Sequence, residues 1–121
     1  MITIFDRKGF DALLSLEATT FDGADLSNAN LHNANLVEYN LRNTNLRDAI
    51  LTSADLRLAN LAGADLSGAD LSNADLTGCC LDDVKLEGVK IEGTKLTLEH
   101  HKALRAAGIK LAGLPLGLSK Q

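Results

Sequence analysis

The chain has 121 residues, a formal net charge of −4 and only 3% aromatic residues, although 45% of it is hydrophobic. This length is one domain or less, and the acidic balance lacks the basic face of a nucleic-acid binder. With so few aromatics, any core is built from leucine and alanine, which favours a repeat architecture over an ordinary globule.

Residues 1–18 read as an N-terminal cap. Ile2 and Ile4 alternate like a short strand. Phe10, Leu13, Leu14 and Leu16 then suit one or two amphipathic helical turns, with Asp6 as a candidate N-cap. No basic region followed by a long apolar run opens the chain, so no signal peptide is expected. No stretch reaches the roughly 18 apolar residues of a membrane span. The expected location is the cytoplasm, where the adjacent Cys79 and Cys80 would be reduced thiols, since neighbouring cysteines pair poorly.

Residues 19–98 repeat with a period of five. Phe21, Leu26, Leu31, Leu36, Leu41, Leu46, Leu51, Leu56, Leu61, Leu66, Leu71, Leu76, Leu81, Leu86, Ile91 and Leu96 make 16 unbroken units, each centred on a large apolar residue. Two positions before the centre the residue is usually Ala, as at Ala24, Ala54 and Ala74. The position just before it is usually Asp or Asn. Two positions after it the residue is often Gly, Asn, Asp or Ser.

A helix scatters residues five apart round its cylinder, because each step turns about 100°. A straight strand puts successive centres on opposite faces, because its side chains alternate with period two. A bend in every unit repairs this. Three residues run extended, with the small residue and the leucine inward and the polar one outward. Two residues then turn a corner, where Gly, Asn and Asp tolerate the backbone angles. Neighbouring coils pair at a spacing of about 4.8 Å.

The units Ala24-Asp25-Leu26-Ser27-Asn28 and Ala64-Asp65-Leu66-Ser67-Gly68 have the form A-[DN]-L-x-x. This pattern strongly resembles the pentapeptide-repeat family. The resemblance implies an all-β solenoid, a right-handed quadrilateral β-helix with four units per coil. On that basis the array makes about four coils, roughly 19 Å tall, with short helical caps at one or both ends. Tyr39, Thr44 and Ile50 depart from the pattern, as do Lys85, Lys90 and Lys95.

Residues 99–121 read as a capping helix and an apolar tail. Thr97 suits the cap of a helix from Leu98 to Ala107, ended by Gly108. Leu98, Ala103, Leu104 and Ala107 would face the last coil. The tail carries Leu111, Leu114, Leu116 and Leu118, broken by Gly113, Pro115 and Gly117.

Nothing in the chain has the spacing of a catalytic, cofactor or metal site. Neighbouring helical residues such as His100 and His101 diverge by about 100°, so both are expected to be solvated. The aspartates would solvate flat outer faces and satisfy corner amides. The block 39–58 holds three arginines, Arg42, Arg47 and Arg57, between more acidic blocks. They suit either a partner site or neutralisation of the adjoining layers. Val37, Ile50 and Leu58 are apolar at positions that are normally polar, which marks a possible contact surface. The tail could fold back to cover them, or the tail or the apolar face could make a homodimer.

These features suit a non-enzymatic protein-binding or scaffolding module with an unidentified protein partner, no cofactor and no direct contact with membrane or nucleic acid. The resemblance also implies an alternative, a duplex-DNA mimic acting on a type II topoisomerase such as gyrase. A column about 19 Å tall would need about 11 negative charges to match the duplex. This array has fewer net charges, interrupted by the arginines.

Overall fold

The computed structural model describes residues 2–17 and 20–109. From residue 20 to residue 96 the backbone returns over itself every 20 residues. Eleven parallel bridges carry this register, from Asp25 with Asn45 to Asp75 with Lys95. Two bonds hold each one. The Leu26 N–H donates to the Asn45 carbonyl at 2.7 Å, and the Asn45 N–H donates to the Ala24 carbonyl at 2.9 Å. Twenty residues are four units, so the register stacks Leu26, Leu46, Leu66 and Leu86.

Each corner is a turn closed by one bond, as from the Ala64 N–H to the Leu61 carbonyl at 2.9 Å. The last residue of every unit from Gly23 to Gly93 has positive φ, which the third residue of a type II turn requires. Most of these residues are Gly, Asn or Asp. Leu58, at φ 62°, takes the same left-handed conformation without their tolerance for it.

The Asp or Asn before each centre has a local task. Its Oδ1 accepts the N–H two residues on: Ser27 onto Asp25 at 3.0 Å, Ala62 onto Asn60 at 3.0 Å, Thr77 onto Asp75 at 3.0 Å. This bond pins the corner that follows. Inside, no centre from Phe21 to Leu96 is more than 8% exposed. The alanines between them leave room for that stacking. Where Thr44 and Thr94 replace alanine, their hydroxyls donate to the Leu41 and Leu71 carbonyls at 2.8 and 2.6 Å.

The N-terminal segment corrects the expected helix. It is an antiparallel hairpin of β1 (Ile2–Phe5) and β2 (Ala12–Leu16), the only sheet of named strands among the described residues. Asp6 is a loop-closer rather than a helix cap. Its Oδ1 accepts the Phe10 and Asp11 N–H groups at 2.9 and 3.3 Å, and Gly9 turns at φ 79°. The hairpin lies on the first coil. Asn35 donates to the Phe5 carbonyl, Arg7 donates to the Asn33 carbonyl, both at 2.8 Å, and Ile4 is fully buried.

At the other end, α1 runs Leu98–Ala106 and Gly108 follows with φ 81°. Its buried residues are His100, His101 and Leu104, whereas Leu98 is exposed and Ala107 faces solvent. Two expectations are thereby corrected. The histidines are not solvated, and the helix turns a histidine-bearing face to the last coil because the His100 ring bonds to it. No described helix is long and apolar enough to cross a membrane. The tail from residue 110 onward lies outside the described residues.

Candidate functional site

A register of 20 sorts the outward residues into four sides. Asp25, Asn45, Asp65 and Lys85 form one, Asn30, Ile50, Asp70 and Lys90 the next, and Asn35, Asp55, Asp75 and Lys95 a third. On each of these three sides a lysine stands in register over an aspartate. The fourth side bears Thr20, Asn40, Asn60 and Cys80 and carries no formal charge.

The corner leading into this uncharged side carries Val37, Glu38, Arg57, Leu58 and Gly78, and the chain enters α1 there at Leu98. Leu58 is 60% exposed. Its Cδ2 lies over Gly78, where an added Cβ would come within 2.6 Å of it. The far corner carries Asp22, Arg42, Asp82 and Asp83. Four of the six residues singled out from sequence therefore border one side: Val37, Leu58, Arg57 and Arg42. Arg47 stands at another corner, and Ile50 lies on the opposite side.

Two of the three arginines are engaged within the chain. Arg57 grips the carboxylate of Asp55 with Nε and Nη2, each at 2.8 Å, and Arg47 reaches Asp65 at 3.1 Å. Both guanidinium groups are more than half exposed, so water screens both pairs and neither adds much to stability. The Arg57 contact holds the Asp55 carboxyl below its ordinary range. Hydrogen bonds from Ser27 and Ser72 do the same for Asp25 and Asp70. Every one of these carboxylates is kept charged. None is poised as a proton shuttle.

The upper end of the uncharged side is concave. An open groove of about 470 Å³ is lined by Gly78, Cys79, Thr97, Leu98, Glu99, His100 and Lys102. A second, of about 280 Å³, adjoins it over Cys80, Leu81, Asp82 and Ala103. The wall between column and helix is fixed by His100. Its Nδ1 accepts the Thr97 N–H at 3.1 Å, so Nε2 carries the proton and donates to the Cys79 carbonyl at 2.7 Å. Burial, with Cys80 adding to it, pushes the Cys79 thiol up to about 12, which leaves it unreactive. No group of three His, Cys, Asp or Glu side chains suited to a metal ion occurs among the described residues. The arrangement offers a flat side with an uncharged central row between charged corners and a groove at one end, which suits binding.

Sequence reasoning by fives missed Asn40, Asn60, Cys80 and the role of His100. Reading every twentieth residue from Thr20 would have exposed the uncharged side.

The family model of pentapeptide repeats matches in eight copies, over residues 15–48, 24–61 and 54–93. Among solved structures, the chain is similar to HetL, a pentapeptide repeat protein involved in heterocyst differentiation regulation from the cyanobacterium Nostoc. The identity is 30% and the TM-score 0.51, over 64% of this chain and 38% of HetL. The chain thus spans well under half of that relative's length. It is also similar to a pentapeptide repeat protein of the Arabidopsis thaliana thylakoid lumen. There the identity is 23% and the TM-score 0.51, over 77% of this chain and 80% of the other. These neighbours imply a right-handed quadrilateral β-helix. No curated protein matches the chain.

Proposed function

The chain belongs to the pentapeptide-repeat family, and from that premise we propose that it is a non-enzymatic protein-binding module whose contact surface is its uncharged side. Members of this family are generally structural or interaction modules. We read the array as about four coils, with the hairpin closing one end and α1 the other, and place the protein in the cytoplasm.

One observation carries the reading. Three sides bear an aspartate with a lysine over it, and the fourth is left neutral, bordered by an exposed leucine in a left-handed conformation. Charged sides stay hydrated, whereas a neutral, partly apolar side loses little on desolvation and gains from burial. The same lysines thin the negative charge that a duplex mimic would need, so no observation favours the topoisomerase alternative.

The test is a triple substitution, Asn40→Asp, Asn60→Asp and Cys80→Asp. At positions 40 and 60 aspartate keeps the side-chain bond that pins the corner, and at position 80 it introduces the residue usual at that place in the unit, so folding is preserved while the side becomes charged. Host proteins retained by the parent should be lost by the triple variant and kept by a control, Asn30→Asp, on the opposite side. Retention unchanged by the triple variant would refute the reading.

A further inference from the structure

We infer that α1 is a proton-released cap: His100 holds it on the last coil only while its imidazole is neutral, so mild acid lifts the helix and removes the groove between helix and column.

The two ring contacts carry this inference. Each is made to a backbone group with a single role. The Thr97 N–H can only donate, so Nδ1 must keep its lone pair to accept it at 3.1 Å. The Cys79 carbonyl can only accept, so Nε2 must carry the hydrogen that it donates at 2.7 Å. One tautomer of the neutral ring satisfies both. A second proton has only Nδ1 to go to, where it meets the Thr97 N–H and the bond at the start of α1 is lost. The residue is 4% exposed, so the new charge would be cut off from water.

Among the described residues nothing compensates for that charge. Cys79, Cys80 and Asp82 of the last coil line the two grooves with the ring, as do Glu99 and Lys102 of α1. His101, also buried, follows on the helix. Neither carboxylate pairs with His100. The Lys102 ammonium disfavours another positive charge in the groove.

Once released, His100 stands in water, where an imidazole takes its proton near about pH 6.5. Docking is therefore favoured above that value, and proton uptake draws the helix off below it. Between about pH 7 and 5 one such ring raises the ratio of released to docked helix about 20-fold. The helix follows the last coil, so it opens before the coils below unfold and leaves their melting unchanged.

Cys79 reports on the docking, being buried where His100 bonds to its carbonyl. With Cys80→Ala in place, its reaction with a pyridyl disulfide, which modifies thiols in acid as well, is timed at about pH 7 and 5. Each rate is taken relative to the denatured protein at the same pH. We expect the relative rate to rise about 20-fold in acid. With His100→Gln added, it should be the same at both, because the amide can accept and donate but does not titrate. An unchanged rate before that substitution, or a rise that survives it, would overturn the inference. Nitrogen-15 NMR of the chain with His100 intact covers the case in which glutamine fails to dock the helix. The proton should reach Nδ1 over the same pH range in which the Thr97 amide loses protection from exchange. A charged His100 beside a still protected Thr97 amide would contradict the release, as would loss of the column's circular dichroism over that range. The readout needs no partner, so its failure leaves the proposed contact surface standing.

Discussion

His100 takes the place of a missing coil over Cys79. Lower in the column, the Ala59 carbonyl accepts the backbone N–H of Cys80, 21 residues on, at 3.0 Å. The Cys79 carbonyl has no coil above it. The residue 21 positions on, His100, supplies the donor from its side chain, Nε2, at 2.7 Å. Removing that donor leaves a buried carbonyl unsatisfied. We expect His100→Ala to cost about 2 kcal/mol in urea unfolding, with His100→Gln recovering part of it. Unchanged stability in His100→Ala would show that the bond contributes nothing.

Leu58 pays twice for its position, once in backbone strain and once in exposed apolar surface. Asparagine adopts the same left-handed conformation with less strain, as Asn28 and Asn73 do here. Leu58→Asn should therefore raise stability by about 1 kcal/mol while weakening partner retention. A stabilised variant that binds as well as the parent would remove Leu58 from the contact surface.

The two thiols should behave differently. With Cys80→Ala in place, Cys79 is buried and its pKa is raised to about 12, so it should resist alkylation at neutral pH until the protein is denatured. Rapid native alkylation, measured by mass spectrometry, would contradict the packing at the top of the column.

Acid should loosen the fold in a defined direction. Hydrogen bonds from Ser27, Arg57 and Ser72 hold Asp25, Asp55 and Asp70 below the ordinary carboxylate range when folded. The charged forms thus stabilise the native state at every pH above the unfolded value of about 3.9. That contribution is lost as pH falls through the folded values. Melting temperature should be level between about pH 7 and 5 and fall below about pH 4. Asp55→Asn with Asp70→Asn should flatten the fall. A melting temperature that does not respond to acid would contradict the assignment.

Much of the fold lay open in the sequence because each unit solves its folding problem locally. The bend, the inward leucine and the Asp or Asn that pins the corner all lie within five residues. Which unit stands over which does not, since a period of five is compatible with any number of sides. The uncharged side depends on that longer register, and so it stayed hidden although Asn40, Asn60 and Cys80 were in plain view. At the N-terminus, Leu13, Leu14 and Leu16 suit a helix or a strand equally. Pairing with β1, and the docking of Phe5 on Asn35, decided it through contacts that local pattern does not encode. His101 is a residue without an account: its buried Nε2 has no partner among the described residues.

The measurement closest to the centre of this account compares two sides of the column in the native host. A photoreactive residue is placed at position 60 on the uncharged side and, in a second protein, at position 70 on the opposite side. A discrete protein adduct is expected from position 60 and none from position 70. An adduct from position 70 alone would contradict it.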